Sequence, residues 1–332
     1  MSDPDKLEVY SNLNPDTILD AVETAGYRCD GHVSALNSYE NRVYQLGLED
    51  GTFIIAKFYR PGRWTDQAIR EEHSFTREMS EQELPVIAAL PNDKDECLFK
   101  YADFRFSLFP RIGGRPPELD NSEHLLQLGR CLARLHNIGA LSPFLHRPEI
   151  SIESYCDEQR EFLLENDFIP GDLLPAYESV TFDVIKYIRF CFESAGEINI
   201  LRLHGDCHLG NILWRDDAPF LVDLDDARMG PAIQDLWMFL SGDRSYMTAR
   251  LYDLMEGYSE FRDFDRRELR LIEALRSMRI MHHAGWLAQR WNDPAFPLAF
   301  PWFNSQKYWQ DHILSLREQI AMMEEEPLQW LG

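Results

Sequence analysis

Residues 204–227 read HGDCHLGNILWRDDAPFLVDLDDA, and Asp206 precedes Asn211 by five positions while Asp223 follows Asn211 by twelve. The runs NIL and FLVD have the look of short apolar strands, so a loop and a strand end would present Asp206, Asn211 and Asp223 at one opening. Loops held by such strands carry chemistry more often than packing. Carboxylate and carboxamide oxygens are hard ligands that suit Mg2+. A carboxylate left over from metal binding can take a proton. His208 sits inside the same loop without a second histidine at helical spacing, so it is expected to pack or hydrogen-bond rather than ligate metal. Taken singly, each of the three oxygen-bearing residues would pass for a turn cap or a strand end. Their spacing is what points to a site.

These residues need a scaffold, and the periodicity supplies one. Asn14 followed by Pro15 reads as a helix N-cap and first turn, with Ile18, Ala21 and Val22 as its apolar stripe. NRVYQLGLEDGTFIIAKFYR at 41–60 reads as two strands joined across Glu-Asp-Gly. A helix is predicted over 65–83, with Ala68, Ile69, Phe75 and Met79 on one face and Pro85 ending the segment. Strands follow at CLFKYAD and FRFSLFP, then the connector RIGGRPPE. Beyond it the pattern is helical, over 122–138, 153–166, 175–195, 231–258, 267–290 and 305–325. The expected class is therefore α+β in two lobes: residues 1–110 carry a small antiparallel sheet and residues 111–332 a larger helical lobe. The apolar and aromatic run around His282, His283, Trp302 and Trp309 reads as core of the last helices.

With 332 residues and 45% hydrophobic content the chain can build both cores. Lys and Arg number 33 against 56 Asp and Glu, a net charge of −23, which repels phosphodiester backbones and anionic membranes. No nucleic acid or membrane partner is expected. The six cysteines are scattered without a Cys-x-x-Cys pair, and the N-terminus MSDPDKLEVY lacks a basic and apolar leader, so a cytoplasmic chain with free thiols is expected, as a monomer.

The pattern His-Gly-Asp-x-x-x-x-Asn, an apolar strand and then Asp resembles the signature of the aminoglycoside phosphotransferase and choline kinase relatives, which have the protein-kinase-like fold. LNSYENRVYQL, KFYRPGRW, HGDCHLGNILWRD and VDLDDARMGPAIQDLW together resemble a Ser/Thr protein kinase branch of that superfamily, bacterial and linked to stress response, over nearly the whole chain. The resemblance implies an ATP-dependent kinase using Mg2+, in which positioning and charge stabilisation do most of the catalysis. Asp206 would hold or deprotonate the acceptor hydroxyl, and Asn211 and Asp223 would hold the metal, Asp223 counting also as catalytic. Lys57, the one cation in the apolar run FIIAKFY, would meet the α and β phosphates. Glu72 is the preferred partner for that lysine, with Glu71 as the alternative. Ser38 in NSYEN would cover the phosphates in place of a glycine-rich loop, and Phe109 to Arg111 would offer backbone to adenine, with Gly113 and Gly114 as hinge.

Two further expectations follow. Asp235 in GPAIQDLW would brace the catalytic loop from below by accepting its backbone N–H groups. Gly205 stands where regulated protein kinases have Arg, and only eleven residues separate Asp223 from Asp235, so no phosphorylated activation loop is expected. Three functions remain open: a protein Ser/Thr kinase, preferred; a small-molecule kinase for choline, homoserine or an aminoglycoside; and a nucleotide-binding module without catalysis.

Overall fold

The structure, a computed structural model, describes residues 10–331; the residues read for a leader, 1–9, lie outside the described part. The chain opens with helix α1 (Pro15–Thr24), whose N-cap Asn14 accepts the backbone N–H of Thr17 at 3.0 Å. Strands β1 (Cys29–Leu36), β2 (Arg42–Leu48) and β3 (Phe53–Phe58) follow, then helix α2 (Asp66–Glu81), capped by Thr65, and strands β4 (Phe99–Tyr101) and β5 (Phe104–Pro110). All five strands form one antiparallel sheet in the order β1-β2-β3-β5-β4. The β2–β3 turn runs through Gly51, whose φ of +80° needs a residue without Cβ, and Asp50 accepts the N–H of Thr52 at 2.9 Å.

Strand alternation decides which residues meet the site. In β3, Ile54, Ala56 and Phe58 face the small core with Leu46, Phe106, Leu108 and α1, while Ile55 and Lys57 face the other way, into the cleft. Lys57 pairs in register with Val43 of β2 and Ser107 of β5, so it sits at the centre of the sheet.

The remaining chain is mostly helical: α3 (Ser122–Gly139), a π-turn Glu153–Asp157 running into α4 (Glu158–Glu165), α5 (Leu174–Ala195), α6 (Arg244–Ser259), α7 (Ile272–Gln289), α8 (Ala295–Ala299) and α9 (Gln306–Glu324). Between α5 and α6 lie β6 (Leu201–Leu203), β7 (Ile212–Arg215), β8 (Ala218–Leu221) and β9 (Arg228–Gly230), pairing as β6–β9 and β7–β8. The mixed class with an antiparallel first lobe and a helical second lobe is the one read from periodicity. All six cysteines are free thiols. Among the described residues no helix is long and apolar enough to cross a membrane.

Two helices start later than their periodicity suggests. The run expected as one helix over 231–258 is two short 3-10 turns, Ala232–Asp235 and Trp237–Phe239, before α6 begins at Arg244. Asp243 is the true N-cap, accepting the N–H of Tyr246 at 3.0 Å, and that local start outweighs the apolar spacing before it. The expected helix 267–290 likewise opens as a 3-10 turn, Arg266–Leu271, capped by Asp265.

Phe106 is fully buried, 5.2 Å from Phe58 and 5.4 Å from Phe99 between ring centroids. Phe106→Ala should lower stability by about 3–5 kcal/mol. Urea unfolding followed by fluorescence checks this, and a loss under about 1 kcal/mol would mean that the small-lobe core is not built around this ring.

Candidate active site

The loop from His204 to Asn211 leaves β6 and enters β7, and its shape is held from below. Asp235, wholly buried, accepts the N–H of His204 at 2.8 Å on Oδ2 and that of Gly205 at 2.9 Å on Oδ1, with His136 Nε2 3.3 Å away. This is the brace expected of Asp235, delivered from a 3-10 turn rather than a helix. Gly205 has φ of +85°, and a Cβ there would lie 2.2 Å from the carbonyl oxygen of Asp226. No side chain fits, which is why an Arg cannot occupy this place.

Further along the loop Asn211 donates Nδ2–H to the carbonyl of Asp206 at 2.9 Å, so its Oδ1 is turned away and left to accept or ligate. The strand β8 ends at Leu221, Val222 N donates to the Asn211 carbonyl at 3.0 Å, and Asp223 follows with φ +58° and ψ +62°. Left-handed backbone in a residue with a side chain costs free energy and clusters at functional sites. Here it swings the Asp223 carboxylate back across the cleft, where Oδ1 accepts from Lys57 Nζ at 2.8 Å.

Lys57 also lies 3.2 Å from Asp225 Oδ1. Burial alone would lower its pKa, but the Asp223, Asp225 and Glu72 carboxylates outweigh that and hold it well above the ordinary lysine value. The expected lysine partner, Glu72, is buried near Lys57 but gives its Oε2 to Arg147 Nη2 at 3.0 Å. The reason is competition: Arg147 reaches Glu72 while also donating to the carbonyls of Ala68, Asp225 and Ala227, and Asp225 stands closer to the ammonium. Glu71, the alternative, points elsewhere and accepts the N–H groups of Leu145, His146 and Arg147 at 2.7–3.1 Å. Two adjacent glutamates thus moor α2 to the helical lobe.

Seven of the residues singled out in the sequence, Ser38, Lys57, Glu72, Phe109, Arg111, Asn211 and Asp223, line one cavity of about 360 Å3 between the lobes. Past the last β3–β5 pair, Ile54 with Pro110, Arg111 and Ile112 leave the ladder and edge this cavity. Asp206 lines a second cavity of about 380 Å3 with Tyr39, Glu40 and Gly205. The loops 37–40 and 205–211 contribute walls to both, Ser38 to one and Tyr39 to the other, so the cavities meet across them. Burial would raise the Asp206 carboxyl, but the hydrogen bond from His208 and the charge of Arg279 pull it down to about 2, which keeps it ionised.

Several residues at the site escaped sequence reading. Asp225, fully buried, accepts Asn41 Nδ2 at 3.1 Å and is paired with Arg63 and Lys57, so it ties the loop 37–41 to the strand end that carries Asp223. Glu40 accepts Trp286 Nε1 at 2.7 Å and pairs with Arg290 Nε at 2.7 Å. Arg279 pairs with Asp206 itself. The only signal in the sequence was the doubling of acids in LDD and the arginines of RPGR, which surface positions also show. Among the described residues no group of three His, Cys, Asp or Glu could hold a metal. A cation here would take Asn211 Oδ1 and the half-exposed Asp223 carboxylate and fill its shell from phosphates and water, which fits Mg2+ and not zinc.

Comparisons with known proteins bear on the family and the fold. Residues 32–272 match the phosphotransferase enzyme family. Stress response kinase A of Escherichia coli O157:H7 is 44% identical over 320 residues, 96% of each chain. A serine/threonine protein kinase, RdoA, of Salmonella typhimurium (strain LT2) is 43% identical over 325 residues, 98% of each. Among solved structures, amicoumacin kinase hAmiN in complex with AMP-PNP, Ca2+ and Ami superposes with a TM-score of 0.72 at 19% identity, covering 96% of this chain and 95% of that one. A microcompartment-associated aminopropanol kinase gives 0.70 at 16% identity, with 93% and 97% covered. At these identities the structural likeness is one of fold.

Gly205→Ala should lower the melting temperature and abolish phosphoryl transfer, because a methyl group meets the Asp226 carbonyl, whereas Gly171→Ala, which meets open space, should change neither. Thermal melts and transfer assays on both variants decide it; an active Gly205→Ala enzyme would show that the loop adapts. Glu268, buried and accepting the N–H of Ile233 at 2.9 Å, is pushed up to about 7 by burial. A carboxyl raised above its unfolded value of ~4.3 stabilises most below that pH and progressively less as pH climbs through the folded value. Glu268→Gln should therefore gain on wild type in melting temperature between about pH 5 and 8, and a difference independent of pH would refute the shift.

Proposed function

The chain belongs to the phosphotransferase enzyme family and is a kinase, and from that premise we propose that it transfers the γ-phosphoryl group of ATP to Ser or Thr hydroxyls of proteins. The observation that carries this reading is the pair of abutting cavities, one lined by Lys57, Asn211 and Asp223, the other by Asp206. ATP occupies the first, with its base against the connector at Phe109 to Arg111 and its phosphates beneath Ser38. Lys57 exchanges part of its contact with Asp223 for the α and β phosphates. Asn211 and Asp223 hold Mg2+, which neutralises charge on the phosphates when bound.

The acceptor enters the second cavity. Its hydroxyl oxygen attacks the γ-phosphorus, the bond from that phosphorus to the β–γ bridging oxygen breaks, ADP leaves, and the hydroxyl proton passes to an Asp206 carboxylate oxygen. The left-handed turn at Asp223 and the Asp235 brace set the two aspartates before substrate arrives, so little reorganisation is left for the reaction. Arg147, bonded at once to Glu72, Ala68, Asp225 and Ala227, joins α2 to the metal-side strand end without any phosphate. That arrangement supports activity without activation-loop phosphorylation.

A protein acceptor, rather than an amino alcohol, is supported by the full-length relatives named as stress response and Ser/Thr protein kinases, and the same names support a role in stress response. Free thiols throughout support a reducing, cytoplasmic setting. The test is radiolabelled ATP with generic proteins and a panel of hydroxyl metabolites. Label should appear on protein Ser or Thr, Asp206→Asn should cut turnover by about 10²–10⁴-fold with ATP still bound, and Asp223→Asn should weaken Mg-ATP binding as well. Label confined to small molecules would overturn the protein reading, and normal turnover in Asp206→Asn would overturn the role of that residue.

A further inference from the structure

We infer that the acceptor hydroxyl is presented next to an anionic group, which Arg279 receives, so that Ser or Thr flanked by acidic residues is the preferred target. This rests on the reading of Asp206 as the residue that engages the hydroxyl. The cavity around Asp206 is lined by Glu40, Asp206 and Asp226 on one side of the charge count and Arg63, Arg228 and Arg279 on the other, three against three, in a chain whose net charge is −23. The pocket is thus charge-balanced although the chain as a whole is acidic.

The balance is pairwise. Asp226 accepts from Arg63 Nη2 at 2.9 Å and from Arg228 Nη2 at 2.6 Å. Glu40 is taken by Arg290 and Trp286. Both carboxylates are therefore spent on neighbours in the protein. Asp206 is paired with Arg279 alone among the arginines, with His208 Nε2 3.5 Å away.

That last pair weakens as the reaction proceeds, because the proton that Asp206 takes from the acceptor hydroxyl removes the negative charge Arg279 faces. Arg279 is then a guanidinium on the cavity wall with its partner's charge withdrawn. Its side chain is 42% exposed, while those of Arg63 and Arg228 are about a tenth exposed and held by Asp226. A carboxylate or phosphate beside the acceptor hydroxyl restores the pair, with the planar fork suited to bidentate contact. A cationic amino alcohol finds the reverse: no carboxylate in the cavity without an arginine on it, and a fixed positive charge where its own would lie.

Carboxylates or phosphates next to a hydroxyl occur in acidic peptides and in small hydroxy acids, and two substrate panels separate these sources. Serine peptides with Asp and Glu, or with Arg and Lys, within two residues of the serine form the first; glycerate and glycerol 3-phosphate against choline and aminopropanol form the second. Wild-type enzyme should favour the acidic peptides by about tenfold or more in kcat/KM. Arg279→Glu should reverse that order and Arg279→Lys should retain it, which also shows that the variants fold. The inference is overturned if basic peptides or choline are the better acceptors, or if Arg279→Glu keeps the acidic preference. It is overturned too if Arg279→Gln lowers kcat by one common factor for every acceptor, since Arg279 would then act on the transferring phosphoryl group. Label in glycerate but in no peptide would keep the anion reading and sink the protein kinase; label in neither panel would sink both.

Discussion

A buried ammonium holds the two lobes in register. Lys57 comes from the middle of the sheet and Asp223 and Asp225 from the far end of the chain's β8 segment, yet they meet at 2.8 and 3.2 Å. Taking a lysine out of water costs several kcal/mol unless carboxylates face it, so the sheet and the helical lobe are favoured only in the arrangement that brings those acids to it. The ion pair is weak as a source of net stability and strong as a constraint on geometry. Everything that a triphosphate would touch is placed relative to it.

Around that contact the protein builds rigidity from side chains to backbone. Arg147 spends its guanidinium on Glu72 and three carbonyls, Glu71 caps three N–H groups, and Asp235 caps two more under the loop at 204–205. All are charge-assisted hydrogen bonds, and those of Arg147 and Asp235 lie in a dry setting, where such bonds are strong and a missing partner is costly. The consequence is a site whose two aspartates and one asparagine are aimed by structure that does not itself face the cavities. The loop at 37–41 is anchored the same way, with Asn41 on Asp225 and Glu40 on Trp286, and it forms part of the wall between the cavities.

Much of this was legible in advance, for a definite reason. Residues such as Lys57 and Asp223 stand out because a charge among apolar residues has no packing explanation, and Asn211 stands out by its spacing from Asp206. Spacing of three and four along α2 told which of its faces was inward, whereas the uniformly apolar run of β3 left its facing to the structure. What failed was local: the helix expected over 231–258 is broken, since apolar spacing persists through a pair of 3-10 turns and only the cap at Asp243 marks the real start. Glu72 was read as the lysine's partner because it lies on the inward face of α2, and it does lie there. Its charge goes to Arg147, a residue whose contribution no pattern around HRPEI announces.

The residue types, their spacing and the periodicity of the strands and helices by themselves determined a sheet followed by a helical lobe, a loop and strand end carrying Asp206, Asn211 and Asp223, and a strand carrying Lys57, because those depend on short-range geometry that repeats every two to four residues. Only the tertiary structure decided which acid neutralises which cation: Asp225 rather than Glu72 at Lys57, Arg147 at Glu72, Arg279 at Asp206. Pairing among buried charges is settled by ångström differences in distance and by the desolvation that all partners share, and neither quantity is carried by the order of residues along the chain.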